Sequence, residues 1–264
     1  MAVAVDTQEL ELKVQRMYRA VATDPRGEFH FELGRSLAER LGYPADVLDR
    51  IPGRAIESFA GVGYVFDLAE LQPGESVVDL GSGSGMDVFF ACTQVGPHGC
   101  VVGVDFTAEQ LSKAETLAVV AGFDQAEFRA ARIEQLPVED ESADCVISNG
   151  VINLSPDKPQ VFAEAARVLR PGGRLAIADI VSEQQLKDSI ACDADLWASC
   201  IGGAAQQDAY RDAIEAAGLR IEAITENPYE FISARARDAS TKYGVKSVSV
   251  LARKDEQRWP PTGA

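Results

Sequence analysis

The stretch Val77-Val78-Asp79-Leu80-Gly81-Ser82-Gly83-Ser84-Gly85-Met86-Asp87 constrains this chain more than any other. A short apolar run rich in β-branched residues ends in an acid and then breaks into three alternate glycines. A hydrophobic segment, Met86 to Val95, follows at once. This is a strand, a tight turn and a helix start, the unit that binds nucleotide-like ligands in open α/β sheets. Gly81 and Gly83 let the backbone turn sharply and approach a ligand, because no Cβ intervenes, and Gly85 lets the helix pack tightly on the strand.

The spacing is G-x-G-x-G, not the G-x-G-x-x-G of dinucleotide-binding folds or the G-x-x-x-x-G-K-[ST] of a phosphate loop, and no phosphate-binding lysine follows. Asp79 stands where a carboxylate can face a cationic amino group. A second apolar run, Cys100 to Val104, ends in Asp105. That is roughly twenty residues past the glycines, the offset at which an acid meets ribose hydroxyls. A ligand with a ribose and an ammonium but no phosphate matches both acids, which points to S-adenosylmethionine (SAM). A glycine turn without a ligand is the alternative; the combined strand, turn and acids favour the cofactor.

The 264 residues are 46% hydrophobic and 25% charged, an ordinary globular composition with enough chain for a full core. A net charge of −16 opposes nucleic acid or an anionic membrane as partner. No apolar run approaches the ~20 residues of a membrane helix. No basic segment precedes an apolar one at the start, so a cytoplasmic location is expected. Cys92, Cys100, Cys145, Cys192 and Cys200 are odd in number, scattered and without a C-x-x-C, which argues against a disulfide framework. The first three fall in apolar patterns and read as buried small hydrophobes.

In chain order, Leu10, Val14, Met17 and Val21 recur at helical spacing and predict an amphipathic helix over 8–22. Phe29-His30-Phe31 is expected to open a second helix ending near Leu41, with a third from Ala45 to Asp49. From residue 76, strands are expected at 76–80, 100–105, 126–130, 144–149 and 173–180, with helices at 108–121 and 159–169. A helical region to Trp197, a helix from Gln207 to Ala217 and strands at 220–225 and 246–252 follow; 227–245 is too mixed to assign. The division expected is a helical extension or lid over 1–70, a cofactor domain over 71–254 and a flexible tail over 255–264. Alternating β and α units imply a mostly parallel sheet with helices on both faces.

With these residues in place, the layout resembles the class I SAM-dependent methyltransferases. Within them it is similar to the arsenite methyltransferase branch, near the quinone-biosynthesis C-methyltransferases. The resemblance rests on Asp79-Leu80-Gly81-Ser82-Gly83-Ser84-Gly85, Ser148-Asn149-Gly150-Val151-Ile152-Asn153-Leu154-Ser155-Pro156-Asp157-Lys158, Arg167-Val168-Leu169-Arg170-Pro171-Gly172-Gly173 and Cys200-Ile201-Gly202-Gly203-Ala204. It covers most of 40–252 and implies an α/β, Rossmann-like fold. Its sheet is mostly parallel and seven-stranded, with an antiparallel hairpin at its end and a helical N-terminal extension. It further implies that Asp79, Gly81, Ser82, Gly83, Gly85 and Asp87 hold the methionine and ribose parts of SAM. Asp105 and Phe106 would take the ribose side, Ile133 and Glu134 the adenine, and Asn149 the carboxyl edge of the fourth strand. Tyr64, in Gly61-Val62-Gly63-Tyr64, would touch the methionine end. Relatives often carry an Asp where this chain has Arg132.

Arsenite methyltransferases hold trivalent arsenic with thiolates, soft ligands for a soft ion. Gly150 and Val62 replace two of their usual cysteines, and Cys200 alone keeps its place, so a different acceptor is expected. Cys200 is a candidate catalytic or acceptor-wall residue. His30, in the extension, is a candidate base, with a packed histidine as the alternative. His98, in Gly96-Pro97-His98-Gly99, reads as a solvated turn residue at the edge away from the ligand. Tyr18, Tyr64 and Trp197 are candidates for the pocket or the core. Asp193 and Asp195 read as a solvated helix face, and no metal is expected.

The expectation is therefore a SAM-dependent methyltransferase acting on a small-molecule acceptor, monomeric or homodimeric. Arsenite methylation by Cys200 with external thiols, and a SAM-binding module without catalysis, are the alternatives. The glycine spacing makes a dehydrogenase the weakest reading.

Overall fold

The computed structural model describes residues 6–191, 197 and 201–256. The first unit expected from the sequence forms as Ser76–Leu80 (β1) and Met86–Val95 (α6). Cys100–Asp105 (β2), Ala108–Ala121 (α7), Ala126–Ala130 (β3), Ala143–Asn149 (β4), Lys158–Val168 (α8) and Leu169–Ser182 (β5) follow. A short helix, Asp188–Ala191 (α9), and a two-residue strand, Ala205–Gln206 (β6), precede Gln207–Ala216 (α10). The chain then runs through Leu219–Glu226 (β7), Ala234–Tyr243 (α11) and Lys246–Lys254 (β8).

Among the described residues these strands make one sheet in the order β3-β2-β1-β4-β5-β8-β7, with β6 attached to the end of β5. The strands β1 to β5 are parallel, and β8 runs antiparallel to both β5 and β7. Side chains alternate across each strand. Val77, Val101, Cys145 and Ile147 bury one face against Phe89 and Phe90 of α6; Val78, Val102 and Val146 bury the other against Phe162 of α8 and Ile214 of α10. The chain winds outward from β1 to β3 and then restarts on the other side of β1 as β4. Connections that leave in opposite directions open a crevice at the carboxyl ends of β1 and β4, where ligands bind in such sheets.

The N-terminal extension contributes Thr7–Thr23 (α1), Arg35–Leu41 (α2), Ala45–Leu48 (α3), Gly53–Glu57 (α4) and Phe66–Ala69 (α5). Asp6 caps α1 by accepting from the amides of Gln8 and Glu9 at 2.9 and 3.1 Å. The helix expected to open at Phe29 does not form there; 24–34 is irregular and α2 starts at Arg35. Phe29 and Phe31 stack on each other at 5.7 Å, and Phe31 stacks on Tyr18 of α1 at 6.1 Å. Side chains two apart share a face in extended chain and not in a helix, so this aromatic packing opposes a helical start.

The sheet has seven long strands as expected and adds β6; the unassigned 227–245 contains α11. Of the helical region expected up to Trp197, α9 and Trp197 are described, whereas Cys192, Asp193, Asp195 and Cys200 lie outside the described residues. Cys92 and Cys145 are buried, but Cys100 is exposed, because it begins β2 at the solvent-facing amino edge. Among the described residues no helix is long and apolar enough to cross a membrane.

Candidate active site

A cleft occupies the carboxyl ends of β1, β2 and β4 and encloses about 1140 Å³, part of it open to solvent. Its floor is the glycine turn. A Cβ on Gly81 (φ +74) would stand 2.4 Å from a methyl of Val151, so only glycine lets the turn pass beneath the loop after β4. The Gly81 and Ser82 amides donate to the Val104 carbonyl at 2.7 and 3.0 Å, tying the turn to β2. Gly85 does not line the cleft: a Cβ there would meet Phe128 and Phe89 at 2.9 Å, so it serves helix packing.

Three buried carboxylates surround the turn. Asp105 ends β2 and accepts from the Gly83 amide at 3.0 Å and the Thr107 amide at 2.8 Å. Burial raises its pKa, and these hydrogen bonds pull it back. Asp87, in the first turn of α6, accepts from the Tyr43 hydroxyl at 2.6 Å and the Asn149 amide at 3.2 Å. Burial pushes Asp87 up to about 6 against those bonds. Asp79 is 2% exposed, and burial, with the charges of Asp87 and Asp105, holds it well above the usual carboxylate range. Neighbouring like charges with little compensation are a signature of a functional site.

Asn149 joins this floor to the N-terminal extension. Its amide oxygen accepts from the Val62 and Gly63 amides at 2.7 and 3.2 Å. Its nitrogen donates to the Gly63 carbonyl at 2.9 Å and the Tyr43 hydroxyl at 3.0 Å. Tyr64, expected at the ligand, instead packs edge-on against Tyr43 at 4.8 Å and does not line the cleft, because this aromatic cluster draws its ring inward.

The roof comes from α1 and the segment around α4. Leu10, Glu11, Val14 and Tyr18 line the cleft from above, and Ala55, Ser58, Phe59, Ala60 and Gly61 close one side. Gln110, 1% exposed, donates to the Tyr18 carbonyl at 2.9 Å and meets the Ser84 hydroxyl of the glycine turn. Phe106, Ile133 and Glu134 complete the far wall, and Arg132 beside them forms an ion pair with Glu11 of α1.

Most of the sites expected from sequence thus converge: Asp79, Gly81, Ser82, Gly83, Asp87, Asp105, Phe106, Ile133, Glu134 and Asn149 all line the cleft. His30 does not; it sits in the irregular 24–34 segment with its ring edge-on to Phe31 at 4.8 Å. His98 is exposed in the turn before β2, at the opposite edge. Tyr43, Thr107, Gln110 and Phe59 were not anticipated. Thr107 and Gln110 follow Asp105 directly at a helix start, a local signal, whereas nothing near Tyr43 in sequence marks it.

The charge inventory decides what fits. Glu11, Asp79, Asp87, Asp105 and Glu134 face one cation, Arg132, which is already paired with Glu11. A polyphosphate would be repelled. A ligand with an ammonium, a sulfonium and ribose hydroxyls meets matching partners, so the residues present fit SAM. Among the described residues no group of three or more His, Cys, Asp or Glu is arranged to hold a metal ion.

Comparison with known proteins agrees. A family profile described as "Methyltransferase domain" matches residues 71–218. The arsenite methyltransferase of Halobacterium salinarum is 40% identical over 225 residues, 84% of this chain and 57% of the relative. That of Aquipseudomonas alcaligenes is 45% identical over 165 residues, 60% of this chain and 47% of the relative. The chain spans about half the length of these curated relatives. The solved arsenic(III) S-adenosylmethionine methyltransferase of Chlamydomonas reinhardtii superposes with a TM-score of 0.63 at 30% identity, covering 87% of this chain and 76% of that one.

Proposed function

The chain belongs to the methyltransferase-domain family, in the arsenite-methyltransferase-like branch of class I, and we propose that it moves a methyl group from SAM to a small-molecule acceptor. The observation that carries this is the acid-lined glycine turn: three buried carboxylates, no unpaired cation among the described residues that line the cleft, and Asp105 at the end of β2. SAM supplies a methyl group on a positively charged sulfur, open to in-line attack by an electron-rich atom. Asp105 takes ribose hydroxyls with the lone pairs left by Gly83 and Thr107. Asp79 faces the ammonium. The apolar roof of Leu10, Val14 and Phe59 excludes water and lets Coulomb attraction act at low dielectric.

Positions 62 and 150 bear on the choice of acceptor. Val62 is 2% exposed, and its nearer methyl lies 3.2 Å from where a Cβ on Gly150 would stand. The two places where the branch resemblance puts thiolates are therefore adjacent and filled by a hydrocarbon. This favours an organic O, N, S or C acceptor. Arsenite, held by Cys200 and external thiols, is the second reading, and the 40% identity to an arsenite methyltransferase favours it.

Calorimetric titration with SAM and its demethylated product, then labelled methyl transfer to arsenite plus thiol and to small organic acceptors, separates these readings. Labelled organic product with inert arsenite supports the first. Labelled arsenic, lost in Cys200→Ser, supports the second. SAM binding without transfer to any acceptor would point to a non-catalytic module, and no SAM binding would remove the cofactor assignment itself.

A further inference from the structure

Lys158 occupies the first position of α8, where a cation opposes the helix dipole and an acid is the usual choice. Its side chain turns back over the segment before the helix. The ammonium donates to the Asn153 carbonyl at 3.1 Å and the Ser155 carbonyl at 2.9 Å, and lies 4.7 Å from the centroid of the Trp197 ring. Leu154, Ser155 and Pro156, the stretch it staples, line the cleft. Trp197, 8% exposed, packs with Leu154 and with Leu10 and Val14 of α1, and its indole N–H donates to the Ala191 carbonyl at 2.5 Å. One ammonium therefore connects the cleft wall to Trp197 and, through that ring, to the roof helix.

We propose that Lys158 is a positioning residue for the cofactor site: its charge, shared between two main-chain carbonyls and the face of Trp197, holds the 154–156 wall against the roof. The proposal rests on the SAM reading above. Among the described residues, the charged groups facing Lys158 are Asp179 of β5 and Glu134 after β3. Asp179 accepts from Asn153, Tyr210 and the Ile180 amide at 2.6, 2.7 and 2.8 Å, and Glu134 is bound to the Ser155 hydroxyl. Burial lowers the Lys158 pKa to about 8, and those two acids limit the fall. Above that pH the amine is neutral and the attraction to the indole face is lost.

The test compares the parent, Lys158→Arg and Lys158→Met, each with Trp259→Phe so that Trp197 reports alone. Two quantities are measured from pH 6.5 to 9.5: equilibrium binding of labelled SAM, and Trp197 emission without ligand. The α-ammonium of SAM titrates in the same range but equally for all three proteins, so it cancels in the comparison. Relative to Lys158→Arg, the parent should lose about two- to fivefold in SAM affinity through pH 8, the scale of one partly buried cation–π contact. Its emission should change with the same midpoint, and Lys158→Arg should show neither effect. Lys158→Met should bind weakly at every pH; if it does not fold, the parent and Arg profiles still decide. Parallel profiles for parent and Arg, or full affinity in Met, would overturn the proposal. Absent SAM binding in the parent, with the emission midpoint present only in Lys158, would sink the cofactor reading and leave the contact standing.

Discussion

The two edges of the sheet treat charge in opposite ways. At the amino edge, Arg174 holds the Glu75 carboxylate with two bonds at 2.9 and 2.6 Å, and both side chains are largely buried. Arg170 pairs with Asp144 at 2.6 Å, and Asp144 also accepts from the Ser76 amide at 2.8 Å. Burial alone would raise the Glu75 pKa, but the Arg174 hydrogen bonds overcome it and hold the carboxyl below its ordinary range. At the carboxyl edge, Asp79, Asp87 and Asp105 are more deeply buried and have no cation beside them, and all three are raised. Paired charge marks the edge that is finished in the chain itself; unpaired charge marks the edge that awaits a ligand.

Breaking the pair at the amino edge should have the largest effect. Arg174→Met leaves Glu75 buried without its cation and is expected to cost about 3–5 kcal/mol of stability. Chemical denaturation measures this, and SAM affinity per folded molecule should not change. A loss of affinity of the same size would mean that the two edges are not independent.

The pH dependence should also have opposite signs. Asp87 titrates near 6 in the fold against an ordinary 3.8, so the folded state holds its proton more tightly. That contribution favours the fold at low pH and is lost as pH rises through about 6, worth about 2–3 kcal/mol. Glu75, with a lowered pKa, contributes stability that is lost as pH falls. Ligand-free melting curves between pH 4 and 7 should therefore show a decline with rising pH that Asp87→Asn removes. A decline unchanged in that variant would place its origin elsewhere.

Removing a carboxylate at the ligand edge should weaken binding in the folded protein. Asp105→Ala is expected to lose about 1.5–3 kcal/mol of SAM binding through charge-assisted ribose hydrogen bonds, measured per folded molecule because the Gly83 and Thr107 amides also lose their acceptor. Unchanged affinity would take Asp105 out of the site. The smallest effect is expected at the roof, where Arg132 is 59% and Glu11 30% exposed. Arg132→Asp should change SAM binding by less than about 1 kcal/mol, and the difference from the parent should fade in high salt.

The parallel sheet and the cofactor floor were readable from local pattern, because each depends on residues close in sequence. Val77 to Asp87 and Cys100 to Asp105 each form one strand and its exit, and β-branched runs, alternate glycines and terminal acids are local signals. The Phe29–Phe31 segment reads as helical in sequence but is irregular in the fold, because its aromatics pair with each other and with Tyr18, a partner that periodicity does not reveal. Tyr64 was drawn from the cleft by Tyr43 and Phe90, again through contacts distant in the chain.

Local pattern is enough to give an α/β protein with a glycine turn flanked by acids, a turn that suits a cationic, ribose-bearing ligand. Which groups stand over that turn is set by contacts distant in the chain. Tyr43 reaches Asp87 across 44 positions, Arg132 reaches Glu11 across 121, and Val62 meets Gly150 face to face. Hydrogen-bonded turns and alternation depend on neighbours in the chain, whereas burial, pKa and the shape of the cleft depend on what the fold brings near.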